Sequence, residues 1–62
     1  MARAYIKIFC NGKHVRTFGG NKKEVKDMKR IYEDMTINDF IIKHPTFKCK
    51  NKSDINIIYK VN

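Results

Sequence analysis

The sequence has no tryptophan, one proline, two cysteines and only six acidic residues among its 62, and each shortage closes off a class of protein. Two cysteines, Cys10 and Cys49, are too few for the disulfide frameworks of small secreted domains, and in a reducing cytosol such thiols stay reduced, with a Cys10–Cys49 bridge as the lesser alternative. No apolar run exceeds three residues, as in Ile8 to Cys10 and Ile57 to Tyr59. A spanning helix needs about 20 such residues and the core of a signal peptide about 7 to 15. A soluble protein of the cytoplasm is therefore expected, the host cytoplasm if the chain is phage-encoded, with no membrane partner. One proline and three glycines leave no linker or low-complexity tract, and no repeat is visible.

Catalytic machinery is missing too. The chain holds no nucleophile elbow, no phosphate-cradling glycine loop, no His-Glu-x-x-His, and no pair of carboxylates outside a helix in which Asp27, Glu33 and Asp34 each have a base four residues before them. A domain this small has few residues to spare for the cavity of about 300 Å³ that ligand sites need. The expectation is a binding protein and not an enzyme, with no cofactor and no small-molecule substrate. Cys10, His14, His44 and Cys49 have the right chemistry for zinc, in C-x3-H and H-x4-C spacings. In a tight hairpin, however, Cys10 and His14 project to opposite faces, so no metal is expected.

What is present is basic charge on a foldable chain. Apolar residues make up 42%, close to an ordinary globular composition, and 62 residues suffice for one domain spanning 1–62. Fourteen Lys and Arg leave a net charge of +8, which draws in polyanions over about a Debye length. Nucleic acid, or an acidic protein or ribonucleoprotein surface, is the expected partner. Lys, Asn and Ile supply 26 of the residues, all encoded by A/T-rich codons, a composition that suits a phage or mobile element.

Tyr5 to Phe18 holds two β-prone runs around Asn11-Gly12, the pair that a type I′ hairpin turn demands because both central residues need positive φ. Gly19-Gly20 ends the second run. Asn21, with Glu24 three residues on, caps a helix from Lys22. Val25, Met28, Ile31, Tyr32 and Met35 fall within an arc of about 120°, one amphipathic face, with Val25, Met28, Tyr32 and Met35 as its core positions. Thr36 to His44 reads as a helical turn or a strand, with the balance toward the turn. Thr46 to Lys50 and Ile55 to Val61 alternate with period two around Asn51-Lys52-Ser53-Asp54, a second hairpin. The fold class that follows is α+β, in the order ββαββ: a four-stranded, mainly antiparallel sheet with one amphipathic helix packed on one face.

In an unbroken first hairpin Cys10 faces Lys13, Phe9 faces His14, Ile8 faces Val15, Lys7 faces Arg16, Ile6 faces Thr17 and Tyr5 faces Phe18. Ile6, Ile8, Cys10, Val15 and Thr17 then form an apolar face for the helix. The other face interleaves Tyr5, Phe9 and Phe18 with Lys7, His14 and Arg16, the composition with which single-strand binders stack bases and neutralise phosphates. The alternative is that these rings are core and the cations reach out from the edge. Lys43, Lys48, Lys50 and Lys52 lie in a stretch without acid between Asp39 and Asp54, either a solvated surface or further phosphate contacts. The candidate interface is thus Tyr5, Lys7, Phe9, His14, Arg16, Phe18, Lys43, Lys48, Lys50 and Lys52. It fits a nucleic-acid binder, or a phage inhibitor or adaptor that docks on a host nuclease, defence complex or toxin and blocks it.

Overall fold

A computed structural model describes residues 3–61. Strands β1 (Arg3–Cys10) and β2 (Lys13–Asn21) form the first hairpin, helix α1 (Lys22–Asp34) follows, then helix α2 (Ile37–Lys43), and strand β3 (Ile55–Val61) closes the chain. The sheet has three antiparallel strands in the order β2-β1-β3. The expected four-stranded sheet with one helix is corrected to three strands and two helices, and the α+β class stands.

The second hairpin does not form. Residues 46–50 are not a strand: Pro45–Phe47 is a 3-10 turn, Lys48 has a left-handed φ of 49°, and Lys52–Asp54 is another 3-10 turn. Pro45 lacks a ladder donor and fixes its own φ, and the segment gains more by turning Phe47 and Cys49 inward onto the core than by extending. β3 pairs instead with β1, from Cys10↔Ile55 to Ala4↔Val61, with no register shift. β1 therefore lies in the middle, and its alternate residues Ala4, Ile6, Ile8 and Cys10 are all buried.

The hairpin turn is as the Asn-Gly pair requires, with φ of 52° at Asn11 and 80° at Gly12. Beyond it the ladder slips. Phe9 pairs with His14, but Ile8 pairs with Arg16, so Val15 is the extra residue of a β-bulge. Every later pair moves by one: Lys7 faces Thr17, Ile6 faces Phe18 and Tyr5 faces Gly19. The slip exchanges Thr17 for Phe18 on the helix side, where the Phe18 ring lies 5.8 Å from that of Tyr32. A phenyl ring buries far more apolar area there than a threonine does.

α1 begins where its cap predicts: Asn21 Oδ1 accepts from the Glu24 backbone N–H at 2.9 Å, and the Asn21 side-chain amide donates back to the Glu24 carboxylate. Val25 and Tyr32 are buried, Met28 and Met35 are half-buried against the core, and Ile31, on the arc but not among its core positions, is 49% exposed. Residues 37–43 resolve as helix, capped by the Thr36 hydroxyl, which accepts from the Asp39 N–H at 3.2 Å. α2 contributes Phe40, wholly buried. It stops at His44 because the next residue is proline.

Cys10 and Cys49 are joined as a disulfide, with Cα atoms 6.0 Å apart, and both are buried. The expectation of free thiols is corrected. With so small a core the link is a substantial part of stability: closing a ring across a sequence separation of 39 restricts the unfolded chain by about 4 kcal/mol in the loop-entropy picture. A backbone bond from Asn11 N–H to Asp54 C=O at 3.0 Å joins the same two regions.

Two stability measurements check this packing. Reduction, or the paired substitution Cys10→Ala with Cys49→Ala, lowers the free energy of unfolding by about 2–4 kcal/mol, read as a lower urea midpoint. An unchanged midpoint refutes the staple. The Tyr59 hydroxyl is buried without a hydrogen-bond partner, and an orphaned buried hydroxyl costs about 1–3 kcal/mol. Tyr59→Phe keeps the ring and removes the orphan, so it raises stability by about 1 kcal/mol; a loss of stability would reveal a partner for the hydroxyl.

Candidate nucleic-acid interface

Because Ala4, Ile6, Ile8 and Cys10 point into the core, the alternate β1 residues Arg3, Tyr5, Lys7 and Phe9 point to the face that no helix covers. Their ladder partners share that face and form three rows. His14, Phe9 and Asn56 make the first, Thr17, Lys7 and Ile58 the second, and Gly19, Tyr5 and Lys60 the third. Tyr5 and Phe9 are half-buried among these neighbours and the rest are exposed.

The contacts within the rows set the rings. Phe9 and His14 meet edge to face with centroids 5.6 Å apart, and His14 Nε2 lies 2.6 Å from Thr17 Oγ1, across the bulge. Lys7 Nζ stands 5.7 Å from the Tyr5 centroid. Beside Tyr5 the ladder position belongs to Gly19, and a Cβ atom placed there meets nothing within 4 Å. One flank of the tyrosine ring is therefore open. Tyr5 and Phe9 are four strand residues apart, about 13 Å, with Lys7 between them.

Tyr5, Lys7, Phe9 and His14 thus come together as their sequence positions imply. Arg16 and Phe18 do not join them, because the bulge carries both to the helix side, where the Arg16 guanidinium lies 4.4 Å from the Phe18 centroid. Lys43 also belongs to that side, with Nζ 5.5 Å from the Tyr32 centroid. Lys48, Lys50 and Lys52 are exposed on the irregular segment that Cys49 and Asp54 tie to the hairpin end of the sheet. Arg3, Gly19, Asn56, Ile58 and Lys60 were not legible as members of this face. Arg3 shares the parity of Tyr5 but precedes the run read as a strand, Gly19 reaches this face only through the bulge, and Asn56, Ile58 and Lys60 join it only once β3 is known to pair with β1.

The remaining polar clusters are structural in character. On α1, Lys29 pairs with Glu33 at 3.1 Å and Arg30 with Asp34 at 4.0 Å, exposed pairs worth little each. A shallow depression of about 420 Å³ over the first turns of α1 is lined by Lys22, Lys23, Lys26 and Asp27, larger than so short a chain suggested, yet built from the exposed side chains of one helix. Among the described residues no group of three or more metal-binding side chains is clustered, and no helix is long and apolar enough to cross a membrane.

His44 sits under the helices, stacked on Tyr32 with an interplanar angle of 21° and sharing a 2.9 Å hydrogen bond between its Nε2 and the Tyr32 hydroxyl. Burial, then the nearby charges of Lys43 and Arg16, hold its pKa below the ordinary histidine value, and burial pushes the Tyr32 phenol up despite Arg16. Both groups are neutral in the native state at pH 7. A depressed histidine lets the unfolded chain take the proton first. Stability is therefore full above the unfolded pKa of about 6.5 and is lost as pH falls from there toward the folded value. His44→Gln removes that part of the loss, so the difference between the two proteins' melting temperatures narrows from pH 7.5 to 5; a constant difference refutes the assignment.

No family model, no curated protein and no solved structure matches the chain.

Proposed function

We propose that the protein binds single-stranded nucleic acid on the uncovered face of its sheet, without catalysis. The observation that carries this reading is the face itself: two rings on the central strand, three cations at Arg3, Lys7 and Lys60, and no carboxylate in any row. Unpaired bases stack on such rings at about 1–3 kcal/mol each. The open flank of Tyr5 over Gly19 admits a base edge-on or stacked. The 13 Å or so between the two rings is a stride of about two nucleotides, with Lys7 placed for the intervening phosphate. A duplex presents its bases already stacked and gains only the phosphate contacts.

Lys48 and Lys50 flank Cys49, whose disulfide to Cys10 holds them near the hairpin end of the sheet. The compartment that this function implies is the cytoplasm, where thiols are kept reduced, so binding is to be measured for both the disulfide and dithiol forms. A second reading, docking on a host protein, draws on the exposed Ile31, Ile41 and Ile42 of the two helices. It uses the opposite side of the molecule.

Anisotropy of labelled oligonucleotides separates these readings. Single strands bind more tightly than duplex, and log affinity falls linearly with log salt. Lys7→Ala with Lys60→Ala makes the slope shallower by about 1.4, since each lost single-strand phosphate contact removes about 0.7. Tyr5→Ala costs about 1–3 kcal/mol of binding, whereas Arg16→Ala, on the helix side, leaves affinity nearly unchanged. Gly19→Leu, whose Cβ meets nothing within 4 Å, is expected to keep the melting temperature of the parent while occupying the ring's free flank and weakening binding as Tyr5→Ala does. No binding at low salt, or an equal loss from Arg16→Ala, overturns the proposal.

A further inference from the structure

The two edges of the sheet are not alike. β2 presents a bulge at Val15 and the Gly19-Gly20 pair, both of which spoil a further ladder. β3 has no bulge, glycine or proline, is rich in β-branched residues and carries one charge, Lys60. Its outer hydrogen-bonding groups have no strand beside them among the described residues. Its apolar side chains are also incompletely covered: Ile58 is 42% exposed on the open face and Val61 43% exposed on the helix side.

We infer that β3 pairs with β3 of a second copy across a two-fold axis, joining two three-stranded sheets into one of six strands. The sequence of the strand is self-complementary for this. Antiparallel pairing that keeps each side chain on its own face and uses all seven residues of β3 is centred on Ile58. Ile58 then meets Ile58 of the second copy on the open face. On the helix side Ile55 meets Val61 of the second copy and Ile57 meets its Tyr59, so the two most exposed apolar residues of the strand are both covered. Lys60 falls opposite Asn56 of the second copy, not opposite its own kind, which removes the like-charge penalty that an edge lysine imposes on self-pairing. The joined sheet makes the two open faces continuous, with six aromatic or imidazole rings from Tyr5, Phe9 and His14 of both copies. Dimerisation stands whether or not that face binds nucleic acid, because its readout is mass.

Sedimentation equilibrium of the full chain tests it. The expected mass is twice 7.4 kDa, and added salt strengthens the association, since each copy carries +8 and the long-range repulsion is screened; salt has the opposite effect on nucleic-acid binding. Ile58→Lys puts like charges on the two-fold axis and returns the mass to that of one chain, while its melting temperature as a monomer stays that of a folded protein because position 58 lies outside the core. A second pair of variants needs no disruption of the fold. Ile58→Cys forms a covalent dimer under mild oxidation, whereas Lys60→Cys, opposite Asn56 of the second copy, does so far more slowly. A monomer at the highest soluble concentration, a dimer indifferent to Ile58→Lys, or equal cross-linking at positions 58 and 60 overturns the inference.

Discussion

β1 is hydrogen-bonded along both edges, and a strand so placed divides its side chains without compromise between two surfaces. Ala4, Ile6, Ile8 and Cys10 go to the core; Arg3, Tyr5, Lys7 and Phe9 go to the other side. Any residue elsewhere in the sheet takes its face from the β1 residue it pairs with. The helices have only one apolar surface on which to pack, so α1 and Phe40 of α2 gather on the first side and leave the second bare. That bare side is a consequence of having two helices on one face of a three-stranded sheet, not a defect of packing.

The bulge at Val15 is the one departure from this alternation, and it decides the composition of both surfaces. Without it Arg16 and Phe18 stand beside Lys7 and Tyr5, two cations face each other across the ladder, and Thr17 occupies the core side. With it Phe18 enters the aromatic cluster of Tyr32, Phe40, His44 and Phe47, Lys7 gains a neutral neighbour in Thr17 and Tyr5 gains an empty one in Gly19. The Lys7–Arg16 repulsion of an unbulged ladder is thus avoided by geometry.

Local chemistry was readable in advance and long-range pairing was not. The Asn11-Gly12 turn, the Asn21 cap with Glu24 and the buried positions Val25 and Tyr32 each depend on residues within a few positions of one another, and each stands where its chemistry puts it. Period-two alternation in Ile55–Val61 correctly marks a strand, but it is silent about the partner, and β1 lies 45 or more residues away in every pair of that ladder. The same alternation in 46–50 misleads. Phe47 and Cys49 share a side because both turn toward the core, and a 3-10 turn followed by a left-handed Lys48 achieves that as well as a strand would. Cysteine arithmetic ranked the Cys10–Cys49 link below free thiols because it weighs compartment and count, whereas contact between the sulfurs depends on where the loop after α2 returns.

Charge placement follows from the same architecture. All six acidic residues lie off the sheet: Glu24, Asp27, Glu33 and Asp34 on α1, Asp39 on α2 and Asp54 in the turn before β3. The strands carry Arg3, Lys7, Lys13, Arg16 and Lys60 with no acid among them. Helix cations such as Lys29 and Arg30 therefore have carboxylates within reach, while those on the bare face have only solvent and the rings of Tyr5 and Phe9. The cations of the bare face thus stand beside its rings with no carboxylate in their rows, and β3, with Lys60 as its one charge, is the least charged strand of the sheet.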